Sequence, residues 1–201
     1  MPGMPAKIAQ HTLFLNQSEP SAWNTEVDGE TYFCIADYQN MAPFLMTIVS
    51  STDLWMYLSS TGGLTAGRRN YNNALFPYET DDKIHRSNYH TGPRTIIRLK
   101  ADKGLMVWEA FSDHYKGLYR IKREVLKNRA GNKIIFREYN EDLKLRFSYC
   151  WMSSDNFGWI RKSRVENLSG KEAELDITDG LQNILPWGIT RESQSMMSTL
   201  M

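Results

Sequence analysis

The sequence predicts an all-β protein built as an antiparallel β-sandwich. Short segments rich in aromatic and β-branched residues recur along the chain, closely spaced turn residues separate them, and helical periodicity is almost absent. Residues 143–151 form the clearest strand, because large apolar side chains alternate there with mostly polar ones. The apolar members are Leu143, Leu145, Phe147, Tyr149 and Trp151. A period of two buries one face of a sheet and exposes the other, as in a sandwich.

The other elements follow in chain order. Residues 1–24, rich in Pro, Ser, Asn and Gln, are expected to form an extended arm, and residues 25–190 a single β-sandwich domain. Further strands are expected at residues 31–37, 44–49, 54–58, 94–100, 105–109, 118–126, 133–139, 157–165 and 172–178. Asp28 and Gly29 form a turn before the first of these strands, and residues 101–104 join a hairpin.

The C-terminal residues show a different pattern. Residues 179–188 lead into residues 191–201, which begin polar and then carry apolar residues at roughly helical spacing. The apolar residues are Met196, Met197, Leu200 and Met201. This pattern predicts the start of a linker or helix that leads to a further domain; a frayed amphipathic tail is the alternative.

Composition narrows the class of protein. A formal charge of +1 with 41% hydrophobic and 23% charged residues is ordinary for a folded domain and gives no overall field for nucleic acid or an anionic membrane. No apolar run approaches the ~20 residues that span a bilayer. Residues 1–10 lack the apolar region of a secretory signal, so we expect a cytoplasmic protein. Cys34 and Cys150 lie far apart in apolar segments and are expected to be reduced core residues.

Residues 58–86 suggest a functional site. They are expected to form a long irregular connection, and such connections are commonly functional. Gly62, Gly63 and Gly67 precede Arg68 and Arg69, so backbone amides and guanidinium groups could grip an anion. The segment lacks the ending of a P-loop.

The same segment allows a structural interpretation. Arg68 and Arg69 could pair with Glu79, Asp81 or Asp82, since arginine readily forms bidentate pairs with carboxylates. Asp81 and Asp82 could also provide the two acids of glycoside chemistry. Neighbouring residues on an extended backbone point apart, however, so capping of a turn is the simpler role.

Other chemistry finds little support in the sequence. His85, His90 and His114 have no zinc-type spacing and no cysteine nearby, so no metal site and no cofactor are predicted. No Gly-x-Ser-x-Gly nucleophile motif is present. Aromatic residues are abundant at 12% and could be core residues or sugar-stacking platforms. The candidates are Trp55, Tyr57, Tyr71, Phe76, Tyr78, Trp108 and Trp151.

Several segments together resemble the N-terminal region of large cellobiose-phosphorylase-like and glycoside-hydrolase-like proteins. The resemblance spans roughly residues 28–201, which is most of the chain. The segments that carry it are Asp28-Gly29-Glu30 with Tyr32, Asp37-Tyr38 leading to Pro43-Phe44, residues 59–68 (Ser-Ser-Thr-Gly-Gly-Leu-Thr-Ala-Gly-Arg), residues 75–84 (Leu-Phe-Pro-Tyr-Glu-Thr-Asp-Asp-Lys-Ile) and residues 179–186 (Asp-Gly-Leu-Gln-Asn-Ile-Leu-Pro).

The resemblance implies a galactose-mutarotase-like β-supersandwich followed by a linker and an (α/α)₆ barrel. In such enzymes the catalytic acid lies in the barrel, so no catalytic residue is carried over to this chain. We therefore expect a non-catalytic domain that helps to shape a saccharide site or a subunit interface, with a phosphorylase or hydrolase as the parent enzyme.

The substrate-binding candidates all come from residues 58–86. Arg68, Arg69, Asp81 and Asp82 are the expected polar contacts, and Tyr78 is the expected stacking residue. Two alternatives remain: a self-contained carbohydrate-binding module, and a scaffolding domain that forms a homodimer. Neither a nucleic acid nor a membrane is an expected partner.

Overall fold

The computed structural model describes residues 6–8, 11–14, 17–101, 104–114, 116–186, 188–193 and 196. Within these ranges the chain is all-β and antiparallel. Its strands are β1 (Ala6–Ile8), β2 (His11–Leu13), β3 (Ser21–Val27), β4 (Glu30–Ala36), β5 (Leu45–Thr47), β6 (Leu54–Ser59), β7 (Leu64–Arg68), β8 (Ala74–Phe76), β9 (Gly92–Ala101), β10 (Gly104–Ala110), β11 (Ile121–Asn128), β12 (Lys133–Asn140), β13 (Leu145–Ser154), β14 (Gly158–Asn167) and β15 (Leu175–Gln182). One short helix, α1 (Asp81–Ile84), follows β8.

The strands form three main sheets. A six-stranded sheet has the order β14-β13-β12-β11-β4-β3, a four-stranded sheet the order β5-β6-β7-β8, and a three-stranded sheet the order β10-β9-β15. Strands β1 and β2 pair with each other in a separate hairpin. Every pairing of neighbouring strands is antiparallel.

The main core lies between one layer made by the six-stranded sheet and a second made by the four- and three-stranded sheets. Alternation along each strand supplies the core, as the sequence predicts for residues 143–151, whose five large apolar residues are all buried. These residues meet Met56 and Leu58 of β6 and Trp108 of β10 in one hydrophobic cluster. This packing of one layer against another confirms the predicted β-sandwich.

A second, smaller cluster lies on the other face of the six-stranded sheet. It contains Tyr32, Cys34, Leu126 and Ile135, with Cys150 packed against them. Both cysteines are free, as the sequence predicts. Burial raises the pKa of each thiol to about 11, so both stay protonated and unreactive near neutral pH.

The observed strands differ from the predicted ones mainly in residues 1–24 and 58–86. Strand β3 begins at Ser21, inside the predicted arm. The prediction of one irregular connection over residues 58–86 is wrong, because β7 and β8 lie within it. At the other end, β15 extends through residues 179–182. Residues 191–193 are helical, whereas Trp187, Met197, Leu200 and Met201 lie outside the described residues.

Candidate functional site

An aromatic cluster covers part of the outer face of the four-stranded sheet. Alternation along β6 turns Met56 and Leu58 into the core, which leaves Trp55 and Tyr57 on the opposite face. The ring centroids of Trp55 and Tyr57 are 6.2 Å apart. Tyr57 is 40% exposed, so its ring is open to solvent. We define the aromatic cluster as these two residues together with Tyr71 and Tyr78.

Tyr78 and Tyr71 extend the cluster beyond the sheet. The Tyr78 ring meets Trp55 edge-on at 6.0 Å and Tyr71 at 5.8 Å. Tyr71 is 47% exposed. The guanidinium carbon of Arg191 lies 5.2 Å from the Tyr78 ring centroid and 5.7 Å from that of Tyr71, within cation–π range. The C-terminal segment therefore borders the cluster.

Gly67 makes room for the cluster. A Cβ atom at this position would lie 2.5 Å from Cζ2 of Trp55 and 2.6 Å from the backbone oxygen of Asn73. Such distances are steric clashes, so the Trp55 indole lies where a side chain of β7 would otherwise be. The glycine is thus required for packing of the aromatic ring and is not needed to bring an anion close to the backbone.

Gly63 is likewise fully occupied by protein. A Cβ atom there would lie 2.2 Å from the carbonyl oxygen of Ile84 and 2.6 Å from Oγ of Ser87. The glycine lets α1 and the turn after it pack on the β6–β7 hairpin. Close packing therefore accounts for both Gly63 and Gly67 without an anion.

Arg68 and Arg69 share one carboxylate. Nε of Arg68 lies 3.0 Å from Oδ1 of Asp53, and Nε of Arg69 lies 3.2 Å from Oδ2. Desolvation raises the pKa of the Asp53 carboxyl, but hydrogen bonds from the two arginines outweigh it and lower that pKa. The arginines form ion pairs, as one interpretation of the sequence holds, but with Asp53 in place of the expected Glu79, Asp81 or Asp82.

Asp81 and Asp82 start α1 and bond locally. Oδ1 of Asp81 accepts a hydrogen bond from the backbone amide of Asp82. Oδ1 of Asp82 accepts one from Oγ1 of Thr80, and this bond is the largest cause that lowers the pKa of the Asp82 carboxyl. This geometry agrees with the turn-capping role. It does not place the two carboxylates on opposite sides of a glycosidic bond.

A groove of about 410 Å³ lies beside Arg68. Leu75, Phe157 and Trp159 provide much of its apolar lining, and Phe157 is 81% exposed. Sequence analysis missed this groove because it joins β7 and β8 to residues some 80 positions away in the chain. The groove places Arg68 between an apolar surface and the Asp53 carboxylate.

The histidines serve local contacts. Nδ1 of His85 lies 2.7 Å from Oγ of Ser59, a serine that is 0% exposed and therefore cannot meet a substrate. The His114 imidazole, which follows β10, stacks on the Tyr89 ring. In the described ranges, no three or more His, Cys, Asp or Glu side chains come together in a way that could hold a metal ion.

Comparisons with known proteins do not test the family resemblance, which stays a prediction from the sequence. No protein-family model matches the chain, and no curated protein matches it. Within the part of the chain that the structure describes, no helix has the length and apolar character needed to cross a membrane.

Proposed function

We propose that this chain is a non-catalytic β-sandwich domain of a carbohydrate-active protein and that the aromatic cluster contacts a saccharide. The observation that carries the proposal is a chain of ring contacts: Tyr57 and Tyr78 contact Trp55, and Tyr71 contacts Tyr78. Tyr57 and Tyr71 are exposed. Aromatic rings combine a large apolar face with a polar edge, which suits the apolar faces and hydroxyl groups of a sugar ring.

Two exposed arginines at the end of β7 support the same assignment. Arg68 and Arg69 are 56% and 73% exposed and share the single carboxylate of Asp53. Their remaining N–H groups can donate to sugar hydroxyls without breaking the ion pairs, since a guanidinium has five donors. Asp81 and Asp82 are less suited to this role because both already bond within the first turn of α1.

A calorimetric titration of this chain with cellobiose and a panel of other disaccharides tests the proposal. We expect a Kd of about 1 mM, which corresponds to about −4 kcal/mol. Tyr71→Ala is expected to weaken binding about 3- to 10-fold, because one ring contact contributes about 0.5–1.5 kcal/mol.

Phe33→Ala is the matched control, since Phe33 is 51% exposed but lies on the six-stranded sheet. It removes an exposed ring elsewhere and should leave the Kd unchanged. Equal Kd values for Tyr71→Ala and the unaltered chain would contradict the proposal, as would silence across the panel. A micromolar Kd would instead favour the alternative of a self-contained carbohydrate-binding module.

Self-association remains the other alternative. Leu105, Met106 and Val107 are consecutive, belong to the edge strand β10 and are each at least 36% exposed. Exposed apolar residues on an edge strand favour contact with another chain.

A further inference from the structure

A polar cleft lies where the three main sheets meet, away from the aromatic cluster. The β6–β7 turn forms one wall with Thr61 and Gly62, and the end of β10 with the following residues 111–114 forms another. Tyr149 of the six-stranded sheet also lines the cleft. The cleft has a volume of about 30 Å³, enough for one or two water-sized groups.

The cleft contains a nearly buried carboxylate. The side chain of Glu109 is 8% exposed, and its Oε1 lies 2.5 Å from Nη2 of Arg94. Its Oε2 lies 3.7 Å from Nδ1 of His114, a separation longer than a hydrogen bond. A ligand hydroxyl could therefore donate to Oε2 of this carboxylate while Oε1 stays paired with Arg94.

Further polar groups line the same cleft. The Tyr149 residue is 2% exposed and Thr95 is also 2% exposed, yet both line the cleft. Asn88 is another lining residue, and its Oδ1 is buried without a hydrogen-bond partner among the described residues. A buried acceptor without a partner costs free energy, which a ligand donor would recover.

The exposed ring of Tyr89 also lines the cleft. Tyr89 is 48% exposed and stacks on the His114 imidazole, with the ring centroids 5.4 Å apart. It offers an apolar surface next to the polar groups of the cleft, the combination that small-molecule sites commonly have.

One wall of the cleft contains a strained residue, Phe111, that a buried ion pair holds in place. Phe111 has a φ of 62°, a left-handed value that is uncommon for a bulky residue and costs of order 1–3 kcal/mol. Its amide donates to Oε2 of the buried Glu138 at 2.9 Å, and Arg123 bonds both Glu138 and the Ser112 carbonyl. Residues held under strain by a buried ion pair are a common feature of binding sites.

From this arrangement we propose that the cleft binds a neutral polyhydroxylated ligand by taking in one of its hydroxyl groups. Glu109 and Asn88 provide acceptors, and Arg94 and His114 provide donors, so a group that both donates and accepts is matched. The Glu109 carboxylate opposes an anion, and Arg94 opposes a cation. The site is separate from the aromatic cluster and stands even if that cluster binds nothing.

Nuclear magnetic resonance titration of this chain with D-glucose, glycerol and sodium phosphate tests the proposal. Glucose is expected to shift the backbone amide signals of Gly62, Asn88 and Ser112. Glu109→Gln should raise the Kd at least tenfold, because a hydrogen bond to a charged group contributes about 1.5–3 kcal/mol.

The control is Glu174→Gln, whose exposed carboxylate pairs with Lys100 on the surface of the three-stranded sheet. The Kd of this variant for glucose should equal that of the unaltered chain. Tyr89→Ala removes an exposed ring without disturbing the core, so it provides the test if Glu109→Gln fails to fold, and should weaken binding about 3- to 10-fold.

Two results would overturn the proposal. One is the absence of shifts at these amides with glucose and glycerol; the other is a stronger response to phosphate, which would identify an anion site. Shifts of Tyr57 and Tyr71 signals report the aromatic cluster separately, so failure of one site is distinguishable from failure of the other.

Discussion

At the scale of single residues, Gly67 determines the shape of the candidate saccharide surface. Its missing side chain lets Trp55 lie against β7, and Tyr78 then packs on Trp55. The sequence points to this glycine for the wrong reason, because Gly67 precedes two arginines and suggests an anion loop. Close contact with Trp55 of the neighbouring strand explains the glycine at this position instead.

Gly67→Ala is predicted to destabilise the fold by about 1–3 kcal/mol, because the new methyl group overlaps Trp55 and the Asn73 carbonyl. Urea unfolding followed by tryptophan fluorescence measures the change. The control is Gly180→Ala, since a Cβ atom at Gly180 meets nothing within 4 Å. If the two variants unfold at the same urea concentration, the packing role of Gly67 is wrong.

Residue-level prediction from sequence succeeds in part at this surface. The ion-paired state of the arginines agrees with one interpretation of the sequence, but their partner Asp53 does not. Stacking of Tyr78 on a saccharide stays a prediction. The register of β6 and β7 places Arg68 opposite Leu54, next to Asp53. The ion pair between Arg68 and Asp53, which are 15 positions apart, depends on the register of β6 against β7. Because the sequence does not predict β7, it cannot predict this register.

At the scale of elements, the segment over residues 58–86 shows why two strands escape prediction. In β7, Leu64, Thr65, Ala66 and Gly67 are all buried, so buried and exposed residues do not alternate along the strand. Strand β8 has three residues, too few for a periodic pattern. By contrast, β13 has one face in the main core and a mixed face outside, and its alternation predicts it clearly.

Hydrogen–deuterium exchange distinguishes the β6–β7 hairpin from an irregular connection. We expect slow exchange at the amides of β7 that bond to β6 or β8, since buried ladder hydrogen bonds open rarely. Tyr71 is exposed and lies beyond the end of β7, so its amide provides an internal comparison and should exchange much faster. Equally fast exchange throughout residues 64–73 would show that the strand is not stable.

At the scale of the whole molecule, ion pairs join strands across the six-stranded sheet and between the two layers. Glu166 of β14 accepts two hydrogen bonds from Arg146 of β13, which lower the pKa of the Glu166 carboxyl. Arg161 of β14 holds Asp179 of β15 through two contacts of 2.9 Å. Desolvation raises the pKa of Asp179, but bonds from Arg161 and Thr95 outweigh it and lower that pKa.

These lowered pKa values predict a loss of stability in acid. Between the folded and unfolded pKa values the unfolded chain binds more protons, so the stabilisation is complete above about pH 5 and disappears as the pH falls through the folded values. Urea midpoints measured from pH 7 to pH 2 should therefore fall below about pH 5. Glu166→Gln should lose about 0.5–1 kcal/mol at pH 7 and show a shallower acid decline.

Glu172→Gln serves as the control in the same series, because Glu172 is exposed on the connection before β15. Its acid decline should match that of the unaltered chain. If Glu166→Gln and Glu172→Gln give identical profiles, the ion pair with Arg146 does not contribute to the pH dependence.

The position of Arg191 over Tyr71 and Tyr78 has a further consequence: the aromatic cluster carries its own competitor. An exposed cation–π contact is worth about 0.5–1 kcal/mol, so the guanidinium would cover the rings about 70–85% of the time. A saccharide that needs the same ring faces must displace it, which reduces the apparent affinity about three- to sixfold. Any event that draws residue 191 away would therefore increase sugar binding without altering a single contact in the cluster itself.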